Sequence, residues 1–118
     1  MKFPQDQIDE LKSSFPNVKL GVEGNMSYFL ITGVDLPTHC NPKIVDVLLC
    51  PYETDGYPSR LYYSERIQRA PHPQKQPTNW QDARRILEKN WHVLSWKIPN
   101  GMSLRLLQMV LAHLDAFQ

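Results

Sequence analysis

The chain has 118 residues, 13 Lys+Arg against 12 Asp+Glu and a formal net charge of +1, a length that makes one domain able to bury about two-thirds of its unfolded surface without disulfides or a metal. So even a balance excludes the basic stripe with which a nucleic-acid binder displaces counterions from phosphates. No window approaches the roughly 20 apolar residues of a membrane span, and the acidic, polar start MKFPQDQIDELK is unlike a signal peptide, so a cytoplasmic location is expected.

Pro4 to Phe15 sets Ile8, Leu11 and Phe15 at helical spacing with Asp6, Asp9 and Glu10 between them, and proline suits a first helical turn; a short amphipathic helix is predicted. Val18, Leu20 and Val22 alternate with polar or small residues, Glu23-Gly24-Asn25 supplies a turn, and Ser27 to Val34 is β-branched and aromatic, which predicts a hairpin. After Leu36-Pro37 and the Cys40-Asn41-Pro42 corner, Ile44 to Cys50 (IVDVLLC) reads as a central strand covered on at least one face, with Asp46 the one interruption. Thr54 to Pro58 is strong turn chemistry before a fourth strand, Arg60 to Tyr63. Gln68 to Asn79 holds Pro71, Pro73 and Pro77 without apolar periodicity and reads as an irregular surface loop. Asn79 is placed to cap a helix through Ala83, Ile86 and Leu87, with Asp82 in its first turn. Trp91 to Ile98 reads as extended. Ser103 then caps a closing helix with an apolar stripe of Leu107, Val110, Leu111, Leu114 and Phe117. The predicted architecture is α+β: helices on one face or end of a four-stranded antiparallel meander, in a single domain spanning 1–118.

Cys40 and Cys50 have no CxxC partner, and the histidines at 39, 72, 92 and 113 show no HExxH or other ligand spacing. The five glycines form neither GxGxxG nor GxxxxGK. No metal and no cofactor are therefore expected.

The order helix, meander, proline-bearing loop, Trp-Pro corner and closing helix is similar to the ubiquitin-conjugating (UBC) fold. Tyr57-Pro58 precedes RLYYSERI, His72-Pro73-Gln74 stands where that family has His-Pro-Asn, and Trp96 to Pro99 matches its Trp-Pro corner. Leu36-Pro37, Val45 to Leu49, Gly56-Tyr57-Pro58 and Trp91-x-x-x-Ser95 resemble, more specifically, the divergent bacterial members of the family. The resemblance implies an operon with a ubiquitin-like protein, an activating enzyme and a JAB-type isopeptidase. It also implies two acyl transfers, from the activating enzyme to this chain and from this chain to a lysine of a target protein; the charge balance and hydropathy add the expectation of neither nucleic acid nor membrane as partner. The N-terminal helix, with Asp6, Asp9 and Glu10, resembles the face that docks the activating enzyme.

The family's nucleophilic cysteine follows its His-Pro-Asn motif, whereas no cysteine follows Cys50 here. Ser95 lies near the implied position and would carry the acyl group as an oxyester, with His92 as the base that activates it. In a strand, positions 92 and 95 point to opposite faces, so this pairing requires a bent backbone. His72 and Gln74 stand in for the loop whose amide stabilises the oxyanion. Ser59 and Cys40 are second-choice nucleophiles. Ser59 also reads as a turn residue, and Cys40 as a loop cysteine whose neighbour His39 would raise its thiolate character. Cys50 reads as core, His113 as a packing or capping residue, and Trp80, Trp91 and Trp96 as packing anchors. The rival reading is a noncatalytic module that binds a ubiquitin-like protein or its activating enzyme, which accounts for the missing cysteine without a substitute nucleophile.

Overall fold

The computed structural model describes residues 3–38, 40–52, 57, 59–69, 80–94 and 104–114. Helix α1, Gln5–Ser14, sets Leu11 into the core and is followed by strands β1, Val18–Glu23, and β2, Met26–Asp35. Gly24 turns the chain between them with φ +61°, the left-handed first position that a II′ hairpin turn reserves for glycine. β2 bulges between Ile31 and Val34, where Gly33 adopts φ +67° and donates its N–H to Asp46 Oδ1 at 3.0 Å. Asp46 interrupts the apolar run of β4, Ile44–Cys50, because the bulge needs an acceptor there.

β5, Arg60–Tyr63, lies beside β4, and the short β3, Cys40–Asn41, pairs with β6, Gln68–Arg69, in a separate two-stranded sheet. β7, Trp80–Ile86, and β8, Lys89–Leu94, form a second long hairpin that joins the main sheet through β8. The main sheet has six strands in the order β1-β2-β4-β5-β8-β7, and every pairing in it is antiparallel. Helix α2, Leu106–Leu114, packs with α1 on one face, over Phe29, Ile31, Val47, Leu49, Leu61 and Tyr63. The other face carries Tyr28, Leu48, Cys50, Tyr62 and Val93 and closes on Ile86 and Trp91 of the curled hairpin. Burial on both faces is the reason β4 reads as nearly continuous apolar sequence.

The curl brings the β7–β8 turn against β1 at the far edge of the sheet. Leu87 donates its N–H to Glu23 Oε1 at 3.1 Å, and its side chain sits over Gly21 so closely that a Cβ there would stand 2.6 Å from Leu87 Cδ1.

Two corrections to the sequence reading follow. The UBC-like α+β arrangement of a four-stranded meander, a loop and a closing helix is replaced, among the described residues, by a mostly β fold, a curled six-stranded sheet with two short helices. The helix predicted after Asn79 is strand β7. It pairs along its length with β8, Trp80 opposite Leu94 and Ile86 opposite Lys89, and tertiary pairing overrides helical spacing that local sequence satisfies equally well. Ser95 onward, in the segment read as extended, lies outside the described residues. Among the described residues no helix is long and apolar enough to cross a membrane.

The β7–β8 turn places Leu87 at φ 52° and Glu88 at φ 65° without a glycine, and each left-handed non-glycine residue costs about 1–2 kcal/mol. Glu88 is exposed, so Glu88→Gly removes that cost while adding about 0.5–1 kcal/mol of chain entropy to the unfolded state. The variant is expected to gain about 0.5–1 kcal/mol, raising the melting temperature by roughly 3 °C in a thermal scan; a lower melting temperature would show that the Glu88 side chain contributes more than its backbone costs.

Candidate functional site

Two places hold features that the fold alone does not require. The first lies at the open edge of the sheet. β1 is a terminal strand, and alternation puts Val18, Leu20 and Val22 on the face that α1 covers. α1 reaches over Val18, which is buried, but leaves Leu20 58% and Val22 62% exposed. Between helix and strand runs a groove of about 520 Å³, floored by Phe29 and Val18 and walled by Ile8, Lys12 and Leu20. Adjacent exposed apolar side chains on an edge strand are what natural sheets ordinarily avoid, because the unpaired backbone beside them accepts another strand.

The second place is internal. Ser59, just before β5, is 1% exposed, and its Oγ lies 3.0 Å from Nε2 of His113, itself 3% exposed on the last turn of α2. Burial, opposed by a hydrogen bond with the Ser59 backbone and aided by the nearby Arg60 charge, pushes the His113 pKa down to about 4. The imidazole is therefore neutral at physiological pH and is hydrogen-bonded through Nε2 to the serine hydroxyl. Arg60 is also buried, with its guanidinium 4.4 Å from the centre of the Tyr57 ring. A serine with a neutral histidine at hydrogen-bond distance is the beginning of an activated nucleophile. Both side chains are closed off from solvent, and what the pair does here is fasten α2 to the start of β5.

The predicted site residues are placed as follows. Ser95, His72 and Gln74 lie outside the described residues. His92 is half-buried on β8, opposite Tyr63 in the register and on the same face as Leu94. Cys40 is buried in the core beneath the helices, and Cys50 is buried on the opposite face. Ser59 meets His113, which the sequence reading placed as a packing or capping residue. Asp6 and Glu10 form ion pairs with Arg105, just before α2, at 2.8 and 3.1 Å. The guanidinium hydrogen bond holds the Asp6 carboxyl below its ordinary range and pushes Arg105 up. Asp9 is exposed and accepts from Gln5 Nε2 at 2.9 Å. Two of the three acidic residues assigned to partner docking are thus engaged within the chain, bracing α1 against α2.

Arg105 is the bracing contact that sequence reasoning missed, and His113, read there as a packing or capping residue, lacked only its partner Ser59. A trace of the first lay in Asp6 and Glu10 standing four residues apart on one helix face; the Ser59–His113 contact spans 54 residues and left no local trace. Comparison with family models, with curated proteins and with solved structures finds no match to this chain.

Proposed function

We propose that the chain is a protein-interaction module that takes an extended segment of a partner along the open edge of β1. The observation that carries this reading is the pair of exposed side chains, Leu20 and Val22, on a terminal strand beside the α1 groove. A strand added there gains main-chain hydrogen bonds from β1 and buries alternate side chains beside Leu20 and Val22, the recognition mode known as β-augmentation. It corresponds to the noncatalytic branch of the sequence reading, without the fold that reading assumed. The acyl-carrier branch depends on Ser95, His72 and Gln74, whereas the buried Ser59 and Cys40 offer it no accessible nucleophile among the described residues.

The test uses a short blocked peptide alternating valine with threonine, read by amide hydrogen exchange. The expected result is slowed exchange in β1, lost when Val22→Lys places a charge on the contact face. Exchange unchanged in β1 at saturating peptide overturns the reading. So does a concentration-dependent dimer in sedimentation that protects the same amides, since the edge would then serve a second copy of this chain.

A further inference from the structure

Resting on the edge-docking reading, we propose that Arg105 holds the groove beside β1 open, and that α1 rolls over Leu20 and shuts the edge when Arg105 releases it. Arg105 is thus a positioning residue: it stands outside the groove and acts through α1.

Successive residues of a helix are turned by about 100° from one another. α1 therefore presents Asp6, Gln7 and Glu10 on one side and Gln5, Ile8 and Lys12 on the opposite side, with Leu11 between them in the core. The first side is fastened to the start of α2. Arg105 meets Asp6 Oδ2 through Nη2 at 2.8 Å and Glu10 Oε1 through Nε at 3.1 Å, and the Leu106 N–H donates to Gln7 Oε1 at 3.2 Å. The second side is the wall of the groove. α2 is itself tied to the start of β5 through His113 and Ser59, whereas β1 is the terminal strand. The clamp therefore draws α1 toward the middle of the sheet and away from the edge.

An apolar attraction works in the other direction. Ile8 and Leu20 line opposite walls of the groove, the first half-buried and the second largely exposed, and closing the gap between them would take apolar surface out of water. The apolar anchors of α1 are Leu11 and, just before the helix, Phe3, whose ring centre lies 5.4 Å from that of Phe29. Such contacts are non-directional, so they hold α1 on the sheet while the directional contacts of Arg105 and Gln7 set its roll. Partly exposed ion pairs are individually weak, and covering part of one leucine is worth a comparable amount. Loss of Arg105 is enough to tip that balance.

The experiment reads the groove and the docking separately. Exposure of the Leu20 methyl groups is measured by NMR from their relaxation by a soluble gadolinium chelate, and affinity by fluorescence titration with the blocked valine–threonine peptide, its location on β1 confirmed by hydrogen exchange. In Arg105→Gln the Leu20 methyl groups are expected to become shielded and the affinity to fall about threefold to tenfold. Arg105→Lys, which keeps the charge, is expected to recover part of both. Sodium chloride at about 0.5 M, which screens partly exposed pairs, is expected to reproduce both changes in the unsubstituted chain, where no question of misfolding arises. Leu20 equally exposed in Arg105→Gln overturns the clamp, whether the affinity holds, rises or falls, and leaves edge docking standing if β1 is still protected. Leu20 shielded in Arg105→Gln with β1 protected by the peptide in neither chain overturns edge docking and keeps the clamp. Leu20 shielded with undiminished affinity overturns the control of docking by Arg105.

Discussion

Truncating Trp91 to alanine is expected to remove about 3–5 kcal/mol of folding free energy, a large share of the 5–15 kcal/mol typical of a domain. Trp91 is only 2% exposed and fills the sheet face that the β7–β8 hairpin closes over, against Tyr28, Leu48, Tyr62 and Val93. It also donates its indole N–H to the Ile86 carbonyl at 3.1 Å, within its own hairpin. Alanine therefore leaves a cavity on the inner face and a buried carbonyl without its donor. Phenylalanine restores most of the apolar volume but not the donor, so Trp91→Phe is expected to lose only about 1–3 kcal/mol. Equilibrium urea unfolding of both variants beside Leu111→Ala, at an exposed site, gives the scale. A loss in Trp91→Ala as small as that of Leu111→Ala would show that the hairpin does not close over this face.

Acidification is expected to weaken the fold through His113. Its pKa is about 4 in the folded chain against an ordinary 6.5, so between those values the unfolded chain binds more protons and acid favours unfolding. The full stabilisation is present above pH 6.5, falls as the pH drops and levels off near 4, a total of about 3 kcal/mol. Below the ordinary carboxylate range the Asp6 pairing with Arg105 fades in the same direction. Unfolding free energies measured across this window should slope upward with pH. In His113→Gln, which retains an amide able to meet Ser59 but cannot titrate, the slope between pH 4 and 6.5 should flatten. An unchanged slope in that variant would assign the effect to another group.

Local spacing made the front of the molecule legible. Ile8 and Leu11 announce α1, and IVDVLLC announces a central strand covered on at least one face, because each signal is complete within one turn or one strand. The hairpin of β7 and β8 was not legible. Its turn is Leu87-Glu88 rather than an Asn-Gly or Asp-Gly pair, so nothing marked the reversal, and Ala83, Ile86 and Leu87 also satisfy a helical period. The closing helix was placed correctly in the chain but turned: Leu111, assigned to the stripe, is exposed, while His113 is buried. What rotates it is the distant Ser59 hydroxyl, which gives the imidazole a partner inside the core. The same limit hid the exposed edge. Val18, Leu20 and Val22 share one alternating pattern, and only the reach of α1 decides that the first is covered and the other two are not.

The clasp of Leu87 over Gly21 and Glu23 also has a kinetic meaning. Its hydrogen bond joins residues 64 positions apart, and closing a flexible loop of that length costs about 4 kcal/mol of chain entropy before the contact returns anything. The neighbouring hairpins, each closed by a two-residue turn, face no such delay. The clasp therefore forms late, when the strands between the two edges are already paired, and it is the natural place for the sheet to begin to open. Gly21 and Glu23 lie on the very strand whose outer edge is exposed. Breathing of the curl and occupation of that edge are consequently motions of one strand, and a segment that stiffens β1 from outside also slows the opening of the closed face within.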